Sequence, residues 1–266
     1  MTLWFPQWQG ANQESPLRTG VRTLEKYYGE AITHRLTTES HTMQTSNIIH
    51  HYSAIHNHTL RCRELLKATQ PATLFTIGGD CGVELIPVSY LNQRYENLGV
   101  VWFDAHADAN TPASSPSKNF HGMPLRHLCG DGDLTLISYC FKTLQPQQIF
   151  YMGVRDVDRQ EKKWIEEQSI FSSKEGSESL LIKALHQQNI TTLYIHFDVD
   201  VLEPTAYPHA LLPTTGGLPI ERTYNTIKRL KEEFRVIGTS ITEVTATEVG
   251  QLKAISGILD ELQNEG

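Results

Sequence analysis

Apolar residues gather in short runs that recur along the chain. The runs cover residues 3–5, 32–37, 73–77, 98–104, 148–154, 192–198 and 236–244. Most are continuous rather than alternating, the pattern of strands covered on both faces. Segments of helical period lie between them, at residues 46–68 (with Pro71 as a stop), 83–95, 177–188, 220–234 and 248–265. Strands alternating with helices predict an α/β domain with a mainly parallel sheet. No linker, repeat or low-complexity stretch divides the chain, so residues 1–266 are expected to form a single domain.

Polar residues break this pattern where strands end. "VVWF" runs into "DAHAD", which sets Asp104, His106 and Asp108 at alternating positions, and extended backbone aims alternate side chains to one side. "LYIHF" runs into "DVD", giving Asp198 and Asp200, and "LFTI" runs into "GGDC", ending on Cys81. In a parallel sheet, ligands bind beyond the carboxyl ends of strands. Converging carboxylates repel one another at low dielectric, and two divalent cations would supply the missing charge. Oxygen-rich ligands with one imidazole suit Mn²⁺ better than Zn²⁺. The loop at residues 110–120, rich in Ser, Pro and Asn, follows a strand end directly and is a candidate binding loop.

Composition narrows the field. The chain has 266 residues, 39% of them hydrophobic, and a formal net charge of −7. That balance argues against a nucleic-acid partner. No run approaches a membrane span, and the first residues have neither the basic region nor the apolar core of a signal peptide. Four scattered cysteines form no CxxC pair, as expected of reduced thiols in the cytoplasm. The histidine cluster "IIHHYSAIHNH" at residues 48–58 reads as a solvated helix face rather than a metal site.

From about residue 73 to residue 247 the motifs resemble the arginase/agmatinase (ureohydrolase) family. They are "GGD", "DAHAD", "HGMP", "FDVD" with "EP" just after, and a late "TEV". The resemblance implies a three-layer α/β/α arginase-like fold with a binuclear manganese centre. A hydroxide bridging the metals would attack the guanidinium carbon and release urea. Carried over by position, Asp104, His106, Asp108, Asp198 and Asp200 match metal ligands, with Asp104 and Asp200 shared between the metals. His121 of "NFHGMP" matches a proton shuttle, and Glu243 of "ITEV" matches the carboxylate that holds the guanidinium. Asn110, Ser115, Ser117 and Asn119 fall where arginases place polar groups for an α-carboxylate and α-amine. Asp158 of "GVRDVDRQE" matches the residue that meets the α-ammonium. A small guanidino amino acid is therefore the expected partner.

The chain also departs from the family. Cys81 stands where the family has a histidine on the more exposed metal, so that metal is expected to bind more weakly. Glu203 replaces an Asp, Leu212 replaces a Thr near the guanidinium pocket, and "VTAT" follows Glu243 in place of Asn-Pro. No counterpart of the long tail that braces trimers of larger arginases follows the last helix of this sequence, so self-association is left open and the family-type trimer is not the expectation. Some relatives with Cys at this position act on Nω-hydroxy-L-arginine, giving hydroxyurea and ornithine. A hydroxyguanidine is less basic and needs less help from the metals to become electrophilic. The readings carried forward are thus hydrolysis of L-arginine or Nω-hydroxy-L-arginine; agmatinase, guanidinobutyrase or formimidoylglutamase activity; and a catalytically degenerate binding subunit. Cys81 itself is read as a changed metal-site position rather than a nucleophile, since no base for it is evident in the sequence.

Overall fold

The computed structural model describes residues 1–38 and 48–264. Its strands are β1 (Thr2–Phe5), β2 (His34–Arg35), β3 (Leu74–Gly78), β4 (Leu98–Phe103), β5 (Ile149–Met152), β6 (Phe171–Ser173), β7 (Thr192–Phe197) and β8 (Arg235–Ile241). They form one sheet in the order β2-β1-β3-β8-β7-β4-β5-β6, and every neighbouring pair is parallel. β4 and β7 are buried at every position, which is why their sequences show no polar alternation.

The helices are α1 (Glu14–Tyr28), α2 (Tyr52–Thr69), α3 (Leu85–Arg94), α4 (Pro124–Leu128), α5 (Leu134–Ser138), α6 (Arg159–Glu167), α7 (Glu178–Gln187), α8 (Ile220–Glu233) and α9 (Ser256–Gln263). They make two outer layers. On one face, α2, α3, α4 and α6 pack Ile55, Leu66, Leu91, Leu125 and Trp164 in a core that includes Trp102 and Tyr194 of the sheet. On the other, α1, α7, α8 and α9 bury Leu24, Leu185, Leu230 and Leu259 in a core that includes Phe103, Ile195 and Phe197. Successive residues of β4 and β7 therefore enter opposite cores, as the pleat requires. The expected three-layer α/β/α architecture is the observed one.

Several boundaries differ from expectation. The helix expected over 46–68 begins at Tyr52, and residues 46 and 47 lie outside the described residues. Ile48 and His51 have positive φ, which no helix interior allows, so the chain turns there first. The segment expected as one helix over 248–265 is a tight 3-10 helix, Val249–Ile255, followed by α9, with residue 265 outside the described residues. The run at 32–37 pairs only at His34 and Arg35. α1, α4, α5, α6 and β6 were not anticipated. In α1 the signal was present, since Leu17, Gly20, Val21, Leu24 and Tyr28 are buried at helical spacing.

The histidine cluster is not the solvated face expected of it. His51 and His58 are buried, and they serve different partners. His51 Nε2 lies 2.7 Å from Asn12 Oδ1, and His58 Nδ1 lies 3.1 Å from Gln7 Oε1. Burial lowers the pKa of His58 to about 4, with the Arg61 charge adding to the effect, so the ring is neutral at pH 7. Ile49 and Ile55 draw this side of the segment into the core.

The "GGD" turn after β3 is built by close approach. A Cβ on Gly79 would lie 1.9 Å from the Gln7 carbonyl oxygen. Asp80 Oδ1 accepts from Gln7 Nε2 at 3.0 Å and from Gly82 N at 2.8 Å, and Oδ2 accepts from Gly10 N at 2.8 Å. One carboxylate thus ties the ends of β1 and β3 together. We predict that Gly79→Ala destabilises the protein by about 3 kcal/mol or more, because backbone rather than a flexible side chain must move. Urea unfolding tests this, and a loss below about 1 kcal/mol would mean the approach relaxes freely.

Candidate metal and substrate site

The ends of β3, β8, β7 and β4 are adjacent in the middle of the sheet, and the acidic motifs follow them. A single local device aims the carboxylates. Asp104 Oδ1 accepts from His106 N at 2.7 Å, and Asp198 Oδ1 accepts from Asp200 N at 2.7 Å. Each is an aspartate bonding the amide two residues on, a turn geometry this side chain favours. The second oxygen of each is then free to face a neighbour. Asp198 Oδ2 accepts from the Cys81 thiol at 3.1 Å, and Asp104 Oδ2 accepts from Trp102 Nε1 at 3.0 Å. Asp200 splits its oxygens differently: Oδ1 accepts from Ala105 N at 2.9 Å, and Oδ2 meets His106 Nδ1 at 2.9 Å.

Two donor groups result. Asp104, His106 and Asp200 form one, and Cys81, Asp104, His196 and Asp198 form the other, with the donor atoms of each group within 4.8 Å of one another. Asp104 belongs to both. Asp108 is 5% exposed, has φ 50°, and keeps a buried Oδ2 with no hydrogen-bond partner. A buried carboxylate oxygen without a donor implies a charge or ligand still to be supplied. Thiol, imidazole and carboxylates in two adjoining groups fit a pair of divalent cations.

His196 was not anticipated. The signal was available: it precedes Asp198 by two residues on β7, so alternation sets both on the face that carries Tyr194. It also supplies the neighbour that Cys81 lacked in the sequence, with Sγ 3.7 Å from His196 Nε2.

The electrostatics show what the chain alone leaves unbalanced. Burial raises the Asp198 carboxyl well above its usual range, and Asp200 and Asp104 add to it. Burial and the Asp104 charge raise Asp200 to about 6, and burial with Asp104 raises Asp108. Burial pushes the Cys81 thiol up, with Asp198 the largest charge acting in the same direction. Burial alone would lower His106, but its bonds to Asp104 and Asp200 outweigh that and raise it strongly. Ionisation of Asp108, Asp198 and Asp200 together is therefore disfavoured unless positive charge is supplied.

A second arrangement adjoins it. Glu243 is buried and has φ 61°, a backbone region costly for a residue with a Cβ and held only where the surroundings enforce it. Its Oε1 accepts from Cys81 N at 3.1 Å and lies 3.1 Å from His121 Nδ1. Its Oε2 is buried with no partner. Burial would lower the His121 pKa, yet the Glu243 charge and bond, with Asp80 behind them, raise it.

The loop residues are placed in less uniform ways. Asn110 Nδ2 donates to Asp158 Oδ2 at 2.9 Å. Ser115 Oγ accepts from Lys118 N at 3.0 Å, and Ser117 Oγ accepts from Asn119 N at 3.2 Å, so both serve the loop's own turns. Asn119 Nδ2 donates to Ala11 O at 3.2 Å, while its Oδ1 is buried without a partner. Glu161, also not anticipated, fastens this edge. Its Oε1 accepts from Ala109 N and its Oε2 from Asp158 N, both at 2.9 Å. Arg155 braces the opposite rim, donating to the carbonyls of Asp200 and Thr214 at 2.8 and 2.7 Å. Glu203 accepts from Gly216 N and Gly217 N, both at 2.9 Å, a local turn lock as its longer side chain implied.

The family model for the arginase family matches residues 13–250. An arginase of Staphylococcus aureus (strain MRSA252) is 33% identical over 177 residues, covering 63% of this chain and 59% of the relative, so the match spans under two thirds of that protein. The arginase of Entamoeba histolytica, solved in complex with L-ornithine, superposes with a TM-score of 0.85 at 23% identity, covering 98% of this chain and 97% of that one. The native arginase of Bacillus caldovelox superposes with a TM-score of 0.82 at 22% identity, covering 100% and 98%. The two structures share the three-layer fold described above. The chain belongs to the arginase family.

The raised carboxylates predict how cations act on stability. An acid whose folded pKa lies above its unfolded value contributes stability that is present below the unfolded value and lost as pH rises through the folded one. Asp200, at about 6, and the raised Asp198 and Asp108 therefore weaken the metal-free protein toward neutral pH. Mn²⁺ at about 100 times its Kd should stabilise the fold by about 2.7 kcal/mol near pH 7.5. The gain should shrink near pH ~5, where protons compete. Thermal melts with and without Mn²⁺ measure this, and equal gains at both pH values would rule out carboxylate ligation.

Proposed function

We propose that the chain hydrolyses the guanidino group of an arginine-type amino acid, L-arginine or Nω-hydroxy-L-arginine, releasing urea or hydroxyurea and ornithine. The observation that carries this reading is the buried, unpartnered Oε2 of Glu243 beside the two donor groups. Oε1 is already held by Cys81 N and His121, so Oε2 is left for a cationic head group. A guanidinium offers planar N–H donors that match a carboxylate.

Asp104, His106, Asp108, Asp198 and Asp200, with Cys81, would hold two divalent cations, taken as Mn²⁺ from the oxygen-rich donors. When bound, they supply Lewis acidity and a nucleophile at neutral pH. The chain's own groups do the rest. Glu243 orients the guanidinium. His121, its pKa raised by the charge and bond of Glu243, stands ready at Nδ1 or Nε2 to hand a proton to the leaving amine. Asn110, Ser115, Ser117, Asn119 and Asp158 gather the amino-acid end, and the Asn110–Asp158 bond pre-sets two of them. Decarboxylated substrates such as agmatine lack the group this loop would bind. No described helix is long and apolar enough to cross a membrane, and a cytoplasmic site of action is part of this proposal.

The thiol at Cys81 favours the hydroxylated substrate within this class. It puts a shorter, softer donor in the metal site, and a less basic hydroxyguanidine tolerates a changed metal site better. Steady-state kinetics with Mn²⁺ on L-arginine, Nω-hydroxy-L-arginine and agmatine test the whole reading. We expect kcat/KM to be highest for Nω-hydroxy-L-arginine and lowest for agmatine. Glu243→Gln and His121→Asn should each cost at least about 10²-fold in kcat. The alkaline limb of the pH profile should move to lower pH in Glu243→Gln, because the charge that raises His121 is gone. No amidine hydrolysis on any of the three would defeat the proposal, and a preference for plain arginine would defeat the hydroxyarginine assignment.

A further inference from the structure

The ring of His196 is enclosed on every side by groups that fix it. The residue is fully buried, and its face stacks on Trp102 with centroids 3.6 Å apart and planes 20° apart. Nδ1 lies 3.1 Å from Glu84 Oε1 and 3.2 Å from Ser240 Oγ. Glu84 is itself buried, and its other oxygen accepts from Tyr194 OH at 2.6 Å. A carboxylate on one imidazole nitrogen holds a proton there and leaves the other nitrogen as the electron-pair donor. Metal-ligating histidines are oriented this way.

Nε2 points at the donor cluster. It lies 3.7 Å from Cys81 Sγ and 3.8 Å from Asp104 Oδ2. Cys81 Sγ lies 3.1 Å from Asp198 Oδ2. In a tetrahedral site with bonds of 2.0–2.3 Å, neighbouring ligand atoms stand about 3.3–3.8 Å apart. The observed separations are close to that spacing before any adjustment.

We propose that His196 is a metal ligand, completing with Cys81, Asp104 and Asp198 a site of one sulfur, one nitrogen and two carboxylate oxygens, with Glu84 as the residue that positions its imidazole. The proposal rests on the metal-dependent reading above and assigns a donor that reading does not contain. The nitrogen enters from β7, beneath the turn that carries Cys81. The thiol is therefore one half of a sulfur–nitrogen pair rather than a single weakened ligand. Such a set favours a borderline-soft cation, Zn²⁺ or Co²⁺, over Mn²⁺. The Asp104, His106 and Asp200 group retains its oxygen-rich preference. The two positions should then differ in metal selectivity.

Titration of the metal-free full chain with Co²⁺ alone reads this directly, because a thiolate ligand gives a near-ultraviolet charge-transfer band. Wild-type protein should show the band, and Cys81→Ser should lose it. His196→Asn should weaken the thiolate-linked Co²⁺ by at least about 100-fold and shift its spectrum, and Glu84→Gln should weaken it by about 10–100-fold. Circular dichroism confirms that each variant folds. Anomalous diffraction from Zn²⁺-loaded wild-type crystals needs no variant, and should place a metal about 2.0–2.1 Å from Nε2. A metal beyond bonding reach of Nε2, or unchanged Co²⁺ affinity and spectrum in His196→Asn, overturns the inference while leaving the proposed hydrolysis intact. Alkylation of Cys81 by iodoacetamide with both metals in place would also overturn it, since that outcome marks a free thiol activated by His196. Failure to bind any divalent cation would remove the proposed function itself.

Discussion

Like-charge crowding at the ends of four central strands is the constraint on which the rest depends. Asp104, Asp108, Asp198 and Asp200 are all nearly excluded from water. Each ionised carboxylate raises the cost of the next. The chain meets part of this cost itself, through the His106 and His196 rings and through backbone amides. The remainder appears as the raised pKa of Asp198, Asp200 and Asp108 and as the unpartnered oxygens of Asp108 and Glu243. An arrangement this unfavourable persists only if the surrounding fold over-determines it. Here it does: both cores are continuous beneath the site, and the carboxylates are aimed by bonds to amides two residues along the chain.

Those short turns explain why so much of the site could be read without a structure. "DAHAD" and "DVD" are local objects. A strand end fixes where the backbone points, and an aspartate two residues before a free amide fixes its own carboxylate. Cys81 was legible for the same reason, through the glycines before it and the Asp80 turn that holds them. The buried strands were equally plain, because a sheet covered on both faces leaves a continuous apolar signature.

What escaped was whatever depends on contact between distant segments. The histidines at 51 and 58 have a mixed helical neighbourhood, and only the packing of the segment between β1 and α1 against them shows that they meet Asn12 and Gln7. α4 and α5 span five residues each, too short for a period to declare itself. Glu161 and Arg155 act as clamps on backbone more than 40 residues away. His196 is the instructive case. Its position on β7 was implied by alternation, but its meaning requires Glu84 on one side and Cys81 on the other, each more than 100 residues distant.

Cys81, His196 and Glu84 read best as one connected network. A thiol alone at that corner would shorten the reach to a metal and add charge to a site already short of cations. A histidine alone within β7 would be a buried polar ring needing partners. Together, Glu84 satisfies Nδ1, Nε2 turns to the thiol, and the thiol turns to Asp198. The remaining contacts go to Tyr194 OH on Glu84, Ser240 Oγ on His196 and Thr242 Oγ1 on Cys81. Buried networks of this kind are stable only when complete. Removing one member leaves buried partners short of a hydrogen bond, a cost that a conservative exchange at a single position does not recover. The trio should therefore behave as a unit: replacing Cys81 by His while His196 and Glu84 remain would crowd the corner rather than restore it.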